Sequence, residues 1–429
     1  MKTDVNLNQY NFQANLVAFS WRCLFCFLLI GSALTLLKAQ AKPQPPPSVT
    51  LEELFRNNSY NLTVSNGNLS GAGLDFLMNA SSDAQFFALA EQHNAKEIPE
   101  FTSMLFKSLH ERHEFNYLAL EQDPVICQMV SASPIVGRHD RVFSLANQYP
   151  NAFTFNTDQE VEMITQGGAI STGKGNRIWG LDQVFGALHI LQRLKELTSD
   201  KKVRDRLTGL IKYAEEYETK RYVSGRHFMT RDVQKPEDLN NLLKIYQPKK
   251  GSEAEFLITQ LLTSIRIYDS RQLSGYESSY LREENMKELF MRQYRIAQAA
   301  GEKTPKVLVK MGHYHIMRGI NPTNVFTLGN FVSEFAKSNN LKSFVMAMWL
   351  NNASGYSDWM PKNESFKAMA KVAPTDKWTI IDFRPLRSYV SAGKVQDIND
   401  TMRQAILSYD AALVIGGGSP GTYQLTTSK

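Results

Sequence analysis

Two acids and three imidazoles in this chain stand where chemistry could be done. Glu91 and His93 follow the apolar run Phe86-Phe87-Ala88-Leu89-Ala90, and Glu121 follows Asn116-Tyr117-Leu118-Ala119-Leu120. His313 and His315 follow Lys306-Val307-Leu308-Val309-Lys310-Met311. Singly, each has an ordinary use: a Glu caps a helix or pairs with a Lys, and a His is satisfied within a turn. Together they cost solvation unless they pair, bind a metal or serve catalysis. Two chemistries suit them. In the first, a His held by a carboxylate takes a proton from water, and the water attacks an ester or amide carbonyl. A second His then protonates the leaving group or steadies the oxyanion. In the second, His and Glu ligate a divalent metal that activates the water, with His93, His313 and His315 as the imidazole ligands. Glu91-x-His93 and His313-x-His315 share the i, i+2 spacing that puts two side chains on one face of an extended strand. No Ser, Cys or Thr stands in a nucleophile-elbow context, which disfavours a covalent triad.

These residues need a scaffold that gathers three chain segments. Phe86 to Glu121 reads as a βαβ unit, with Phe101, Leu105, Phe106 and Leu109 on the apolar face of a helix that runs from about Pro99 to His113. Near-continuous apolar runs are what a parallel sheet buried on both faces requires. Right-handed crossovers then bring the strand ends to one edge, where open α/β sheets bind ligands. Arg177-Ile178-Trp179-Gly180-Leu181 is a further strand ending in Asp182-Gln183, with Asp182 either accepting from a catalytic His or capping the next helix. Ser343 to Leu350, Trp378 to Phe383 and Ala411 to Ile415 complete the strands. The expected fold is therefore α/β, a mostly parallel sheet flanked by helices. Residues 200–300 carry helical spacing throughout, a helical insert over the strand-end site that walls it as a lid.

Other segments read more plainly. Residues 122–176 look irregular, and Gly168 to Gly175 nearly matches a phosphate loop but lacks the final Ser or Thr and a preceding strand. A flexible, substrate-covering loop is the expectation there. Gly416-Gly417-Gly418 has no following helix and reads as a turn. His227 is taken as a surface residue. A net charge of +6 spread among mixed acids and bases over 429 residues excludes a nucleic-acid face.

The amino terminus reads as a signal peptide, residues 1–41, with an apolar stretch from Leu16 to Leu37 and the small-x-small pattern Ala39-Gln40-Ala41. The chain is thus expected to be exported, periplasmic or secreted, with no stable membrane insertion after cleavage; the rival is an uncleaved amino-terminal anchor. Residues 42–85 read as a polar linker and lead-in, and 86–429 as one domain. Asn57, Asn61, Asn68 and Asn79 each begin an N-x-S/T pattern. With Cys23 and Cys26 removed, Cys127 is alone and is expected to be buried and inert.

On these blocks the chain resembles erythromycin esterase-like proteins, with ChaN-like haem-uptake proteins and Tiki/TraB-type proteins as relatives. The matching pieces are Ala90-Glu91-Gln92-His93-Asn94, Phe115 to Glu121, Trp179-Gly180-Leu181-Asp182-Gln183 and Val309 to His315. The resemblance implies a hydrolytic centre on Glu91, His93, Glu121, His313 and His315, acting on a small-molecule or peptide substrate. The esterase pattern has Glu and His three apart after a Gly; here they are two apart after Ala90, and no clear basic residue opens the next helix. These departures point from macrolide hydrolysis to the wider superfamily. There a divalent metal, or haem held by His93, His313, His315 or Tyr314, is the alternative to catalysis.

Overall fold

The computed structural model describes residues 48–218, 228–230, 233–351 and 359–423. The signal segment and His227 lie outside them. A nine-stranded sheet forms the centre, made of β1 (Ser59–Ser65), β2 (Asn68–Ser70), β3 (Ala84–Glu91), β4 (Tyr117–Leu120), β5 (Ile178–Gly180), β6 (Val307–Gly312), β7 (Lys342–Asn351), β8 (Trp378–Asp382) and β9 (Ala411–Gly416). The order is β2-β1-β8-β9-β7-β3-β6-β4-β5. From β9 to β5 every pair is parallel, whereas β8, β1 and β2 are added antiparallel at one edge.

Every residue of β3 is buried, as its apolar run anticipates. Its side chains alternate between two cores. Phe87 and Leu89 join Leu118, Leu308 and the helix Glu97–His113 on one face. Phe86, Ala88 and Ala90 join Val309, Phe290 and the helix Leu328–Ser338 on the other. The helix Glu97–His113 stops where Glu114 takes a left-handed conformation, φ 60°, and its N–H returns to the His110 carbonyl. Helices Lys201–Glu218 and Glu253–Ser270 of the expected insert, with the helix Leu188–Leu197 before it, enclose a third core of their own.

Three stretches differ from the sequence reading. Residues 48–85, expected as a polar lead-in, supply β1, β2 and two helices, because Leu62 and Leu69 are buried between otherwise exposed polar positions. Residues 122–176 are not irregular: helices span Pro124–Ser131, His139–Gln148 and Asp158–Ile170, two of them capped by Asp123 and Thr157. The loop after Gly168 does not cover a substrate. Gly173 packs on Asn116 and Tyr117 at the amino end of β4, and the Tyr117 hydroxyl donates to the Lys174 carbonyl, so the loop lies at the sheet edge opposite the candidate site. Cys127 is buried, its thiol pushed well up by burial and by Asp123. Among the described residues, no helix is long and apolar enough to cross a membrane.

Candidate active site

The register of three neighbouring strands builds the site. Glu91 ends β3 opposite Gly312, which ends β6, and Leu120 at the end of β4 lies opposite Lys310. Glu91, Lys310 and Gly312 thus face one side of the sheet at its carboxyl edge, with Glu121 one residue beyond.

Glu91 and Lys310 are a buried ion pair, Nζ to Oε2 at 2.6 Å, and Glu160 from the helix Asp158–Ile170 completes it at 2.8 Å from Nζ. Burial disfavours the charge on Glu91, but Lys310 and then His93 outweigh it and hold the carboxyl below its ordinary value. At Glu160 burial, with the Glu91 charge beside it, outweighs Lys310 and pushes the carboxyl up to about 7. Lys310 is held above its ordinary value by the two carboxylates, against the cost of burial. The lysine charge is therefore matched chiefly by Glu91.

His93 sits in the turn after β3, where Asn94 adopts φ 63°. Its ring stacks on Phe155 at 4.5 Å, and its Nδ1 lies 3.4 Å from Glu91 Oε1. The side chain is 40% exposed, so one face of the ring is open. Burial works to lower its pKa, yet Glu91 and Glu121 raise it above the usual imidazole value.

Glu121 is the hub. Its Oε2 accepts the Gly312 N–H at 2.7 Å, and its Oε1 accepts Arg282 Nη2 at 2.7 Å. His315 Nε2 stands 3.6 Å from the same Oε1. Against the penalty of burial, His315, Arg282 and His93 bring the carboxyl down to about 2. Arg282, from the long insert helix Gly275–Ala299, also grips Asp182 through Nε and Nη2 and donates to Gln183. The next residue, Glu283, takes His315 Nδ1 at 2.5 Å and the Leu328 N–H at 2.8 Å. His315 therefore presents Nε2 toward Glu121.

The structure gathers Glu91, His93, Glu121 and His315, and buries His313 behind them against the Glu91 backbone, away from His315. The i, i+2 spacing aligns the two side chains only on a backbone that stays extended past Met311. Instead Gly312 ends the strand and His313–Ile316 forms one helical turn, which sends side chains two residues apart in directions roughly 200° apart. His313 stacks on Trp349 at 5.3 Å, and burial drives its pKa down to about 4. The expected ligand trio of His93, His313 and His315 consequently does not form. The group that does come together is Glu91, His93 and Glu121, whose donor atoms lie within 4.8 Å of one another. It does not fit a resident dication. Both carboxylates are already neutralised by Lys310 and Arg282, and those cations would repel a metal. Of the expected haem ligands, His313 packs against Trp349 and Tyr409 and His315 is held by Glu283, whereas His93 and Tyr314 keep exposed side chains.

Lys310, Glu160, Arg282 and Glu283 were not read as site residues. Lys310 had a signal, as the one charge inside the run Val307–Met311. Among the described residues Asp182 neither meets a His nor caps a helix; it holds Arg282.

Gly312 gives a direct test of this packing. A Cβ there would stand 2.8 Å from His93 Nε2 and 3.3 Å from Glu121 Oε2. The expected result for Gly312→Ala is an imidazole pushed aside, with stability reduced by only about 1 kcal/mol because the open ring can yield. The NMR signals of the His93 ring should shift with it, and unchanged signals would contradict this packing.

No family model matches the chain, and no curated protein matches it. Solved structures do. A structural-genomics protein from Bacillus cereus is 14% identical with a TM-score of 0.55, covering 86% of this chain and 98% of its own. A succinoglycan biosynthesis protein is 16% identical with a TM-score of 0.58, over 86% and 97%. A variant of erythromycin esterase EreC in its open conformation is 11% identical with a TM-score of 0.56, over 86% and 99%. The chain therefore has the erythromycin esterase-like fold.

Proposed function

We propose that the chain is an exported, metal-independent hydrolase that attacks an ester or amide bond with a water activated by His93. The observation that carries this reading is the relay Lys310–Glu91–His93. A buried, charged carboxylate faces Nδ1 of a ring whose other side is open, the arrangement in which a His works as a general base. Glu91 orients the ring and steadies the imidazolium that forms. Donor atoms of Glu121 and His93 lie within 4.8 Å of one another, a separation that one attacking water can bridge. His315, aimed by Glu283, returns a proton to the leaving group. The fold shared with a protein named as an erythromycin esterase supports the reaction class. Export is part of the proposal and rests on the sequence of residues 1–41.

The pH profile tests the assignment. A general base must be neutral, so kcat/KM rises with pH through the His93 pKa. Glu91 and Glu121 raise that value, so the ascending limb is expected to have its midpoint above about 6.5. In Glu91→Gln the imidazolium loses its partner, and the limb should move to lower pH as the maximal rate drops. A limb unmoved by that substitution would contradict the role of Glu91. Dialysis against a strong chelator should leave the rate unchanged; its loss, restored by one metal, would return the metal reading.

A further inference from the structure

Beside Glu121 lies a cavity of about 310 Å³, to which Arg282, Glu283 and His315 contribute one wall. The remaining lining includes groups for which the proposed chemistry has no use. Among them are Tyr268 and Arg271, together with Gly275, Ser278 and Ser279 at the amino end of the insert helix.

The charges of this lining do not balance. Its one carboxylate, Glu283, has both oxygens occupied, by His315 and by the Leu328 N–H. Arg282 uses Nε and Nη2 on Asp182, Gln183 and Glu121, while its Nη1 makes no hydrogen bond among the described residues. Arg271 has no acidic partner among the described residues, and its side chain is exposed at the rim. The Tyr268 hydroxyl, buried beside Gln183 and Asp182, finds no hydrogen-bond partner of good geometry. The amino end of a 25-residue helix adds positive potential on the same wall. Unused donors with no unpaired carboxylate among them describe a receptor for negative charge.

We infer that this cavity holds an anionic group of the substrate, a carboxylate or a phosphate, with Arg271 as its main partner and Arg282 Nη1 and the Tyr268 hydroxyl as further donors. The inference rests on the hydrolase reading and narrows it. Esters or amides that carry an acid group on one side of the scissile bond are preferred over neutral or cationic ones of equal size.

The test is a matched ester series assayed with the purified mature chain: 4-nitrophenyl hydrogen succinate, its methyl-capped neutral analogue, a trimethylammonium analogue, and 4-nitrophenyl 3-phosphonopropionate. The expected kcat/KM for the anionic esters exceeds that of the neutral one by about tenfold or more, and comparing carboxylate with phosphonate identifies which anion is favoured. Arg271→Gln should collapse the anionic-to-neutral ratio toward one, and Arg271→Glu should invert it in favour of the cationic ester. A wild-type ratio near one, with all esters hydrolysed, overturns the inference and leaves the hydrolase reading intact. If no ester is hydrolysed, the hydrolase reading fails, and calorimetry with glutarate and with inorganic phosphate judges the cavity alone. Binding lost in Arg271→Gln supports it, and no binding of either anion overturns it.

Discussion

Replacing His93 with alanine is expected to lower kcat/KM by about 10³-fold or more while leaving the fold in place. The side chain is 40% exposed and its ring stacks on Phe155, so its removal opens no sealed cavity. Thermal unfolding of the variant should stay within a few degrees of the parent. Added imidazole should restore part of the rate, because the pocket beside Glu91 would admit a free ring carrying the same base. Residual activity within tenfold of the parent would remove His93 from the mechanism, whatever its position.

Lys310→Met is expected to damage stability as well as rate. Lys310 is 2% exposed in the middle of the sheet, with Glu91 and Glu160 at hydrogen-bond distance. Methionine keeps the length of the side chain and removes the charge. Glu91 is then left buried without its cation, a change that costs about 3–5 kcal/mol in comparable sites. Burial, no longer offset, favours a protonated Glu91, and His93 loses the carboxylate that orients it. Urea unfolding would show the loss, and kcat/KM should fall with it. The double variant Lys310→Met, Glu91→Gln should recover part of the stability without recovering the rate, since it removes the uncompensated charge and the relay together. A loss below about 1 kcal/mol in the single variant would show that the pair contributes little.

Much of this architecture was legible in the sequence. Phe86 to Ala90 in β3 and all of β4 are apolar runs with the acids Glu91 and Glu121 just past their ends, and β6 is apolar but for Lys310, whose charge is paired with Glu91. The parallel sheet follows from such runs, and it brings residues 91, 121 and 312 together without further information. What was hidden depends on long-range or backbone detail. Arg282 reaches Glu121 across 161 residues of sequence, and in its own helix it is one charge among many. The separation of His313 from His315 turns on Gly312 ending the strand, which the period of the run does not register. The edge strands β1 and β2 bury only Leu62 and Leu69 between polar neighbours, a weak signal in an Asn- and Ser-rich stretch.

The central claim, that His93 directs water at the carbonyl without a covalent intermediate, is tested most directly by a single turnover in ¹⁸O-labelled water. With enzyme in excess over an ester, the account predicts that the released acid carries the label and that the protein does not. Released acid without ¹⁸O, together with label in Glu91 or Glu121, would show that a carboxylate attacks first, and would contradict the account.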